Sequence, residues 1–233
     1  MTAKALPAHI VIAIDGPSGA GKSTVAKRLA QLLGYWYVDS GAMYRAVGWV
    51  VNANGLSFDD SCAIVKLLGR TPIALTFRAG RSEVWVGGQR ITCQLRGEVV
   101  GKAASAVATR PVVRQVVTAK LRQLRCQADL VMEGRDIGTV VFPDATVKFF
   151  LDASLEARGQ RRFQEMQQAG QTATLEQVVQ AVAARDTQDR TRAVAPLALD
   201  VEAHVINTTD LTIDDVVQIM LPQIHAKILQ HGE

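Results

Sequence analysis

One short stretch near the start of the chain constrains the possible folds more than any other. It reads, in order, Gly16, Pro17, Ser18, Gly19, Ala20, Gly21, Lys22, Ser23 and Thr24. A glycine, four residues and then Gly-Lys-Ser is the spacing of a loop that cradles phosphates. An apolar run precedes this stretch and apolar residues at helical spacing follow it, which predicts a strand over 9–15 and a helix over 22–33.

This predicted strand–loop–helix context gives the motif a physical meaning. Glycines let backbone amides converge on phosphate oxygens, and the N-terminus of the following helix adds a partial positive charge. Lys22 can reach the terminal phosphates, and the Ser23 hydroxyl can bind Mg²⁺. We therefore expect residues 16–24 to bind a nucleoside triphosphate, with Ser23 as the protein ligand of the metal ion.

Composition narrows the remaining possibilities. The chain has 233 residues, of which 48% are hydrophobic, so it can form one large or two small domains. Its net charge of +4 suits small anionic substrates as well as nucleic acid. Cys62, Cys93 and Cys126 are too far apart for a zinc or redox pair, so we expect reduced, mostly structural thiols in a cytoplasmic protein. A signal-peptide core and a run of about 18 apolar residues are both missing, so we expect no membrane partner.

Along the chain, predicted strands alternate with predicted helices, which indicates a parallel sheet with helices on both faces. Further strands are expected at 35–39, 130–133, 147–151 and 205–207. Further helices are expected at 42–51, 59–68, 98–108, 111–125, 154–168, 174–192 and 213–230. Ser40 and Gly41 are expected to end the strand at 35–39, Gly69 to close a helix, and Thr174 with Gln177 to form a capping box.

The segment from 69 to 100 has a different character. Its expected strands, at 73–77, 83–86 and 90–92, are separated by turn signals at Ala79-Gly80 and Gly87-Gly88. Because three short strands are marginal alone, we expect a small antiparallel insertion that packs on a flanking helix. The core would then comprise residues 1–68 and 101–233.

Arginines dominate the segments that can face the carboxyl ends of the strands, where ligands of parallel sheets bind. These arginines are Arg45, Arg114, Arg135, Arg158, Arg161, Arg162, Arg185 and Arg192. A guanidinium can bind a phosphate through two parallel hydrogen bonds. Arg185, Asp189 and Arg192, spaced i, i+4, i+7, share one helix face, which suits either a phosphate with a ribose or a solvated face with internal ion pairs.

Two further patterns suggest parts of a transfer site. A basic stripe at Arg158 and Arg162, followed by Gly170, favours a mobile lid over about 154–175. Glu133 ends an apolar strand and either holds Mg²⁺ through water or caps neighbouring backbone; Asp15 and Asp39 carry the same ambiguity. If the acceptor is itself a phosphate, its oxygen is already anionic and the reaction needs no general base.

Taken together, four segments resemble the bacterial cytidylate kinase family of P-loop nucleoside monophosphate kinases. They read IDGPSGAGK at 14–22, DSGAMYR at 39–45, GRDIGTVVFPDA at 134–145 and RTRAVAPL at 190–197. The resemblance covers nearly the whole chain. It implies an α/β fold in which a P-loop three-layer parallel sheet core carries a small antiparallel insertion in the monophosphate-binding region and a helical lid.

The resemblance also implies residue roles. Contacts to cytosine are expected from Ser40, Ser105, Arg114 and Asp136. The monophosphate is expected to be held by Arg45, Arg135 and Arg192, and the ribose by Arg185 and Asp189. The catalytic set is expected to be Lys22, Arg135, Arg192, Arg158 and Arg162, with Arg161 also in the lid and residues 207–209 near adenine. Glu133 stands where Asp is usual, and Gly159 interrupts the lid helix and is expected to loosen it.

The implied activity is transfer of the γ-phosphate of ATP, with Mg²⁺, to CMP or dCMP by a monomer. One alternative is a kinase whose acceptor is UMP or AMP, and Asp136 disfavours uracil because its O4 offers no hydrogen to accept. A nucleotide switch is disfavoured because the sequence lacks an Asn-Lys-x-Asp segment. An RNA-binding module is disfavoured because aromatic residues make up only 5% of the chain.

Overall fold

The computed structural model describes residues 9–78, 81–95 and 97–231. Its strands in chain order are β1 (Val11–Asp15), β2 (Trp36–Asp39), β3 (Ile73–Arg78), β4 (Arg81–Val86), β5 (Gln89–Arg90), β6 (Leu130–Glu133), β7 (Val147–Asp152) and β8 (His204–Asn207). Its α-helices are α1 (Lys22–Leu33), α2 (Ser40–Ala53), α3 (Ser61–Arg70), α4 (Glu98–Ala108), α5 (Pro111–Leu124), α6 (Leu155–Gln168), α7 (Leu175–Thr191) and α8 (Ile213–His231). In the part of the chain that is described, no helix is long and apolar enough to cross a membrane.

Local sequence signals place several helix ends correctly. Helix α1 has the predicted bounds, and Gly34 after it has a φ of 73°. Helix α7 begins with the predicted capping box: the Gln177 backbone nitrogen donates to the Thr174 hydroxyl across 3.2 Å, and the Thr174 backbone nitrogen donates to the Gln177 side chain across 3.0 Å. These ends are predictable because the capping groups are close in sequence.

Two predicted helix boundaries are wrong, one at the start of α2 and one at the end of α3. Strand β2 ends at Asp39, before Ser40 and Gly41, as predicted, but α2 begins at Ser40 and not at residue 42, because the Asp39 side chain accepts the Ala42 amide across 3.2 Å. At its C-terminal end, α3 continues through Gly69 to Arg70 instead of closing at the glycine, and the Thr71 amide donates to the carbonyl of Leu67.

Within the described residues, the chain divides into two compact units. The first unit contains His9 and residues 30–132, and the second contains residues 10–29 and 133–231. In the first unit the strand order is β3–β4–β2–β6, and in the second unit it is β1–β7–β8. The last residue of β6, Glu133, belongs to the second unit. The predicted α/β class, with a mostly parallel sheet and helices flanking it, is confirmed.

In the first unit, the antiparallel strands extend the sheet instead of standing apart from it. Strands β3 and β4 pair antiparallel from Ile73↔Val86 to Arg78↔Arg81, and β4 also pairs parallel with β2 at Tyr37↔Arg81. The predicted turn at Gly87 and Gly88 is confirmed, since both residues have the positive φ that such a two-residue hairpin turn requires. The turn predicted at Ala79-Gly80 lies outside the described residues.

In the second unit, β1 is fully buried and pairs parallel with β7 from Ile12↔Val147 to Asp15↔Phe150. Strand β7 pairs parallel with β8 on its other side. A π-helical segment, Ile137–Val141, follows β6 and was not predicted. Its start is fixed by the Asp15 carboxylate at the end of β1, which accepts the backbone amides of Ile137 and Gly138 across 2.8 and 2.7 Å.

The structure corrects two smaller predictions, one about the cysteines and one about Gly159. Cys62, Cys93 and Cys126 are all exposed, free thiols, so they do not pack in the core as structural cysteines would. Gly159 does not interrupt α6, which runs unbroken from Leu155 to Gln168. A Cβ atom at Gly159 would lie 2.4 Å from Cγ2 of Val179, so this glycine lets α6 approach α7 closely.

Candidate active site

The loop between β1 and α1 has the backbone conformation that its glycines predict. Gly16, Gly19 and Gly21 have φ values of 145°, 79° and 85°, which L side chains rarely adopt. A Cβ atom on Gly16 would lie 2.0 Å from the carbonyl oxygen of Leu151, so only glycine fits against β7 there. The loop therefore leads directly from the buried end of β1 into the N-terminus of α1, the arrangement that favours a bound phosphate.

Lys22 folds back on this loop. Its Nζ donates to the carbonyl of Pro17 across 2.6 Å, and the residue is only 5% exposed. The pKa of Lys22 is lowered to about 7, first by burial and then by charge repulsion from Arg135, while the charge of Glu133 raises it. The charges of Arg135 and Glu133 thus act on Lys22, and an added negative charge would favour its protonated form.

The first turn of α1 fits a magnesium ion that is shared with nucleotide phosphates. Ser23 and Thr24 are exposed there. Among the described residues, no group of three or more His, Cys, Asp or Glu could hold a metal ion. Mg²⁺ is commonly bound by one or two protein groups, substrate phosphates and waters, so the Ser23 hydroxyl is a sufficient type of anchor.

The two acidic strand ends of this unit behave differently. Asp15 is 6% exposed and binds the two amides that begin the π-helical segment, so its observed contacts are those of a backbone cap. Burial raises the pKa of Asp15 to about 6, although both amide hydrogen bonds act in the opposite direction. Glu133 is also buried, and its charge raises the pKa of Lys22.

A buried network of two arginines and two aspartates lies in the same unit. Arg135 donates to Asp189 across 2.8 Å, and Arg192 lies 3.6 Å from the other oxygen of Asp189. Arg192 also lies 3.5 Å from Asp136 and donates through Nε to the carbonyl of Ala195 across 2.6 Å. The Arg192 and Asp136 side chains are each 6% exposed, so this network is not a solvated surface feature.

The predicted i, i+4, i+7 face is therefore only partly exposed. Arg185 is exposed, whereas Asp189 is buried and has an arginine on each carboxylate oxygen. Arg185 lowers the pKa of Lys22 by charge repulsion, so its guanidinium lies close enough to Lys22 to act on it. The structure brings this face together with Arg135, Asp136 and the phosphate loop.

The three arginines of α6 have three different environments. Arg158 is buried, pairs with Asp186 and donates to the carbonyl of Ser18 across 3.1 Å. Arg161 donates to the carbonyl of Gly19 across 3.4 Å and to Thr208. Arg162 is exposed and pairs with Glu165 within the same helix across 2.9 Å.

Two further residues, Thr208 and Asp186, connect the phosphate loop to β8 and α7. The Thr208 hydroxyl, just after β8, donates to the carbonyl of Ala20 across 3.2 Å. Asp186 was missed entirely, although its position three residues before Asp189 places it on the same helix face. That spacing could have identified Asp186 as a candidate, but this helix contains several other charged residues with similar spacings.

In the first unit, the predicted residues lie on three neighbouring helices. Ser40 is buried and Arg45 pairs with Asp39 across 2.5 Å, both at the start of α2. Arg114 on α5 is 4% exposed, donates to the carbonyl of Ala108 across 3.1 Å and lies 5.3 Å from the centre of the Tyr44 ring. Ser105 is half-buried on α4, which packs closely on α2.

The close packing of α2 and α4 depends on a glycine. A Cβ atom on Gly48 would lie 2.8 Å from the backbone of Ala103. This close approach joins the two helices that carry the predicted substrate residues Ser40 and Ser105. The unit thus presents two hydroxyls and two guanidiniums, groups that can bind an oxygen-rich ligand.

Comparisons with known proteins agree with these features. The profile described as cytidylate kinase matches residues 12–226. The cytidylate kinase of Citrifermentans bemidjiense is 41% identical over 221 residues, covering 95% of each chain. The cytidylate kinase of Shouchella clausii is 43% identical over 210 residues, covering 90% of this chain and 93% of that protein.

Among solved structures, an uncharacterized protein from Eubacterium ventriosum aligns with a TM-score of 0.50. The two chains are 11% identical, and the alignment covers 93% of this chain and 99% of the other, so the likeness concerns the fold alone. The family match extends over nearly the whole sequence and includes the phosphate loop and the buried arginine network. The chain belongs to the cytidylate kinase family.

Proposed function

We propose that this protein transfers the γ-phosphate of ATP to CMP or dCMP, yielding ADP and CDP or dCDP. The observation that carries the proposal is the proximity of the phosphate loop to the buried arginine network in one compact unit. Arg135 acts on the pKa of Lys22 and at the same time binds Asp189, so one guanidinium connects both parts. A donor phosphate and an acceptor phosphate need such adjacent cationic positions.

The chemistry requires alignment and charge neutralisation, with no proton removed from the acceptor by a base. Loop amides and Lys22 hold the donor phosphates, and Mg²⁺, anchored by Ser23, neutralises charge on the phosphates when it is bound. Arg135 and Arg192 bind the acceptor phosphate and orient its oxygen. Lys22, once it is protonated, stabilises the charge that develops on the transferred group.

For the acceptor, we carry forward the roles that the family implies. Asp136 accepts the exocyclic amine of cytosine, with Ser40, Ser105 and Arg114 as further contacts to the base. Arg45 joins Arg135 and Arg192 at the phosphate, and Arg185 and Asp189 bind the ribose. The burial of Asp136 supports its part in this assignment, since a hydrogen bond to a charged group is stronger away from water.

The lid arginines are proposed to act on the donor side. Arg158 and Arg161 already contact carbonyls of the phosphate loop, and the adjacent Arg162 is exposed and pairs with Glu165. We further propose that the protein acts as a monomer in the cytoplasm, in the salvage and supply of pyrimidine nucleotides. Nucleic acid and membranes are not part of the proposed activity.

The direct test is ADP release from ATP and Mg²⁺ with CMP, dCMP, UMP or AMP as acceptor. We expect kcat/KM for CMP and dCMP to exceed that for UMP and AMP by at least about tenfold, which corresponds to about 1.4 kcal/mol of discrimination. Equal turnover of CMP and AMP would contradict the base assignment. Equal ATP cleavage with and without any acceptor would contradict the kinase assignment itself.

A further inference from the structure

A buried ion pair joins two helices of the second unit to the phosphate loop. Asp186 on α7 and Arg158 on α6 are 7% and 6% exposed. One carboxylate oxygen of Asp186 accepts the Arg158 guanidinium, and the other lies 3.4 Å from the backbone nitrogen of Ser18, which donates to it. A carboxylate of α7 therefore binds the backbone of the loop directly.

Arg158 binds the same loop residue from its other side. Its Nη1 donates to the carbonyl of Ser18 across 3.1 Å, and its Nε donates to the carbonyl of Ala153 across 2.9 Å. Both backbone polar groups of Ser18 are thus bound by one charge pair. A Cβ atom on the adjacent Gly19 would lie 2.9 Å from the Cβ of Arg158, so the arginine packs directly against the loop.

Asp186 does not itself bind the phosphates, because its carboxylate is negatively charged and is paired with Arg158. A carboxylate beside a bound triphosphate would repel it, but the paired guanidinium cancels that charge. What remains is geometric: the pair fixes the peptide groups on either side of Ser18. Backbone amides bind phosphates only when they point toward a common centre, so the orientation of these peptides matters for donor binding.

Helix α7 also carries Asp189, three residues further along, which binds Arg135 and Arg192. The same helix therefore holds the donor loop through Asp186 and the arginines of the acceptor phosphate through Asp189. The two aspartates thus bind different partners, and only Asp186 contacts the phosphate loop.

We infer that Asp186 is a positioning residue for the donor: with Arg158 it holds the phosphate loop in the conformation that binds ATP. The inference rests on the proposed function only for the identity of the acceptor. It assigns to Asp186 a selective effect on ATP, because the loop residue that it binds lies on the donor side.

The test compares Asp186→Asn with the wild-type protein in steady-state kinetics. We expect KM for ATP to rise by about tenfold or more, since a hydrogen bond to a charged group is lost, and KM for CMP to stay within about twofold. Arg158→Lys, which keeps the charge but cannot reach all three partners, is expected to show the same selective rise. The double variant is expected to be about as impaired as the worse single variant, because both residues act as one unit.

A matched control separates positioning from general loss of stability. Asp200→Asn removes one of the two carboxylates that bind the buried Lys148 of the same unit, which lies 3.0 Å from Asp200 and 2.9 Å from Glu202. We expect this variant to lower Tm while KM for ATP stays within about twofold of wild type. Equal rises in both KM values for Asp186→Asn, a fall in KM for ATP, or a change in Tm alone would overturn the inference.

A binding measurement keeps this test independent of the acceptor. Fluorescent N-methylanthraniloyl-ATP is titrated into the wild type and the same variants without any monophosphate. We expect weaker binding by about tenfold for Asp186→Asn and Arg158→Lys, and unchanged binding for Asp200→Asn. If wild-type protein fails to phosphorylate CMP but this pattern holds, the proposed acceptor is wrong and the role of Asp186 stands; wild-type binding by Asp186→Asn would reject that role.

Discussion

The guanidinium of Arg135 lies 2.8 Å from the carboxylate of Asp189, with side chains that are 16% and 11% exposed. Asp189 also faces Arg192 across 3.6 Å, so it is the shared counter-ion of two arginines. Removing its charge would leave two guanidiniums close together and only partly hydrated. Such a change is strongly destabilising, because a buried charge loses its partner while its desolvation remains.

We therefore expect Asp189→Asn to lower the free energy of unfolding by about 3 kcal/mol, measured by urea denaturation. The control is Glu165→Gln, which breaks the exposed Arg162–Glu165 pair and should change stability by less than about 0.5 kcal/mol. If both variants unfold at the same urea concentration as wild type, Asp189 contributes no net stability.

The second prediction concerns the base-reading role proposed for Asp136. Asp136→Ala removes the carboxylate that accepts the cytosine amine, and a hydrogen bond to a charged group contributes about 1.5–3 kcal/mol. We expect kcat/KM for CMP to fall by about 10- to 100-fold, while the affinity for N-methylanthraniloyl-ATP changes by less than about threefold. The measurement is ADP release at varied CMP with saturating ATP. A parallel loss of ATP binding would show that Asp136 maintains the site as a whole.

The third prediction follows from the raised pKa of Asp15, which burial shifts from 3.8 to about 6. Between these values the unfolded chain releases the proton while the folded protein keeps it. The contribution of Asp15 to stability is therefore fully present below pH 3.8 and is lost as pH rises toward 6. The expected loss over this window is up to about 3 kcal/mol, from two units at 1.36 kcal/mol each.

Asp15→Asn isolates this effect because asparagine does not titrate. We expect the stability difference between wild type and Asp15→Asn to shift against wild type as pH rises from 4 to 6. Urea denaturation at several pH values within this range measures it. A difference that stays constant with pH would mean that Asp15 titrates near its ordinary value.

The fourth prediction tests why Gly159 lies within α6. Gly159→Ala would place a methyl group 2.4 Å from Cγ2 of Val179, a β-branched side chain with little freedom to rotate. We expect a loss of about 1–3 kcal/mol despite the better helix propensity of alanine. Gly69→Ala in α3, where a Cβ atom meets nothing within 4 Å, should instead leave stability unchanged or raise it by up to about 1 kcal/mol. Similar gains for both variants would restore the view that Gly159 only loosens the helix.

Local features of the fold were predictable because their causes lie within a few residues. The phosphate loop, the bounds of α1 and the capping box of Thr174 and Gln177 all depend on short-range geometry and hydrogen bonds. The early start of α2 was a local error too, since the Asp39 side chain caps its first turn, whereas α3 simply continues one residue past Gly69. The antiparallel strands were recognised, but their pairing with β2 depends on residues distant in sequence.

By itself, the sequence determined the phosphate loop, the alternation of strands and helices, and the four segments that the family shares. Only the tertiary structure decided which charges are buried and which partners they have. Asp15 caps a segment more than 100 residues later, Asp186 binds Ser18 across 168 positions, and Asp189 lies between two arginines. The physical reason is that water surrounds these charges in the unfolded chain, where an ion pair contributes little free energy. Once the charges are buried, the position of each partner has a large effect on the free energy.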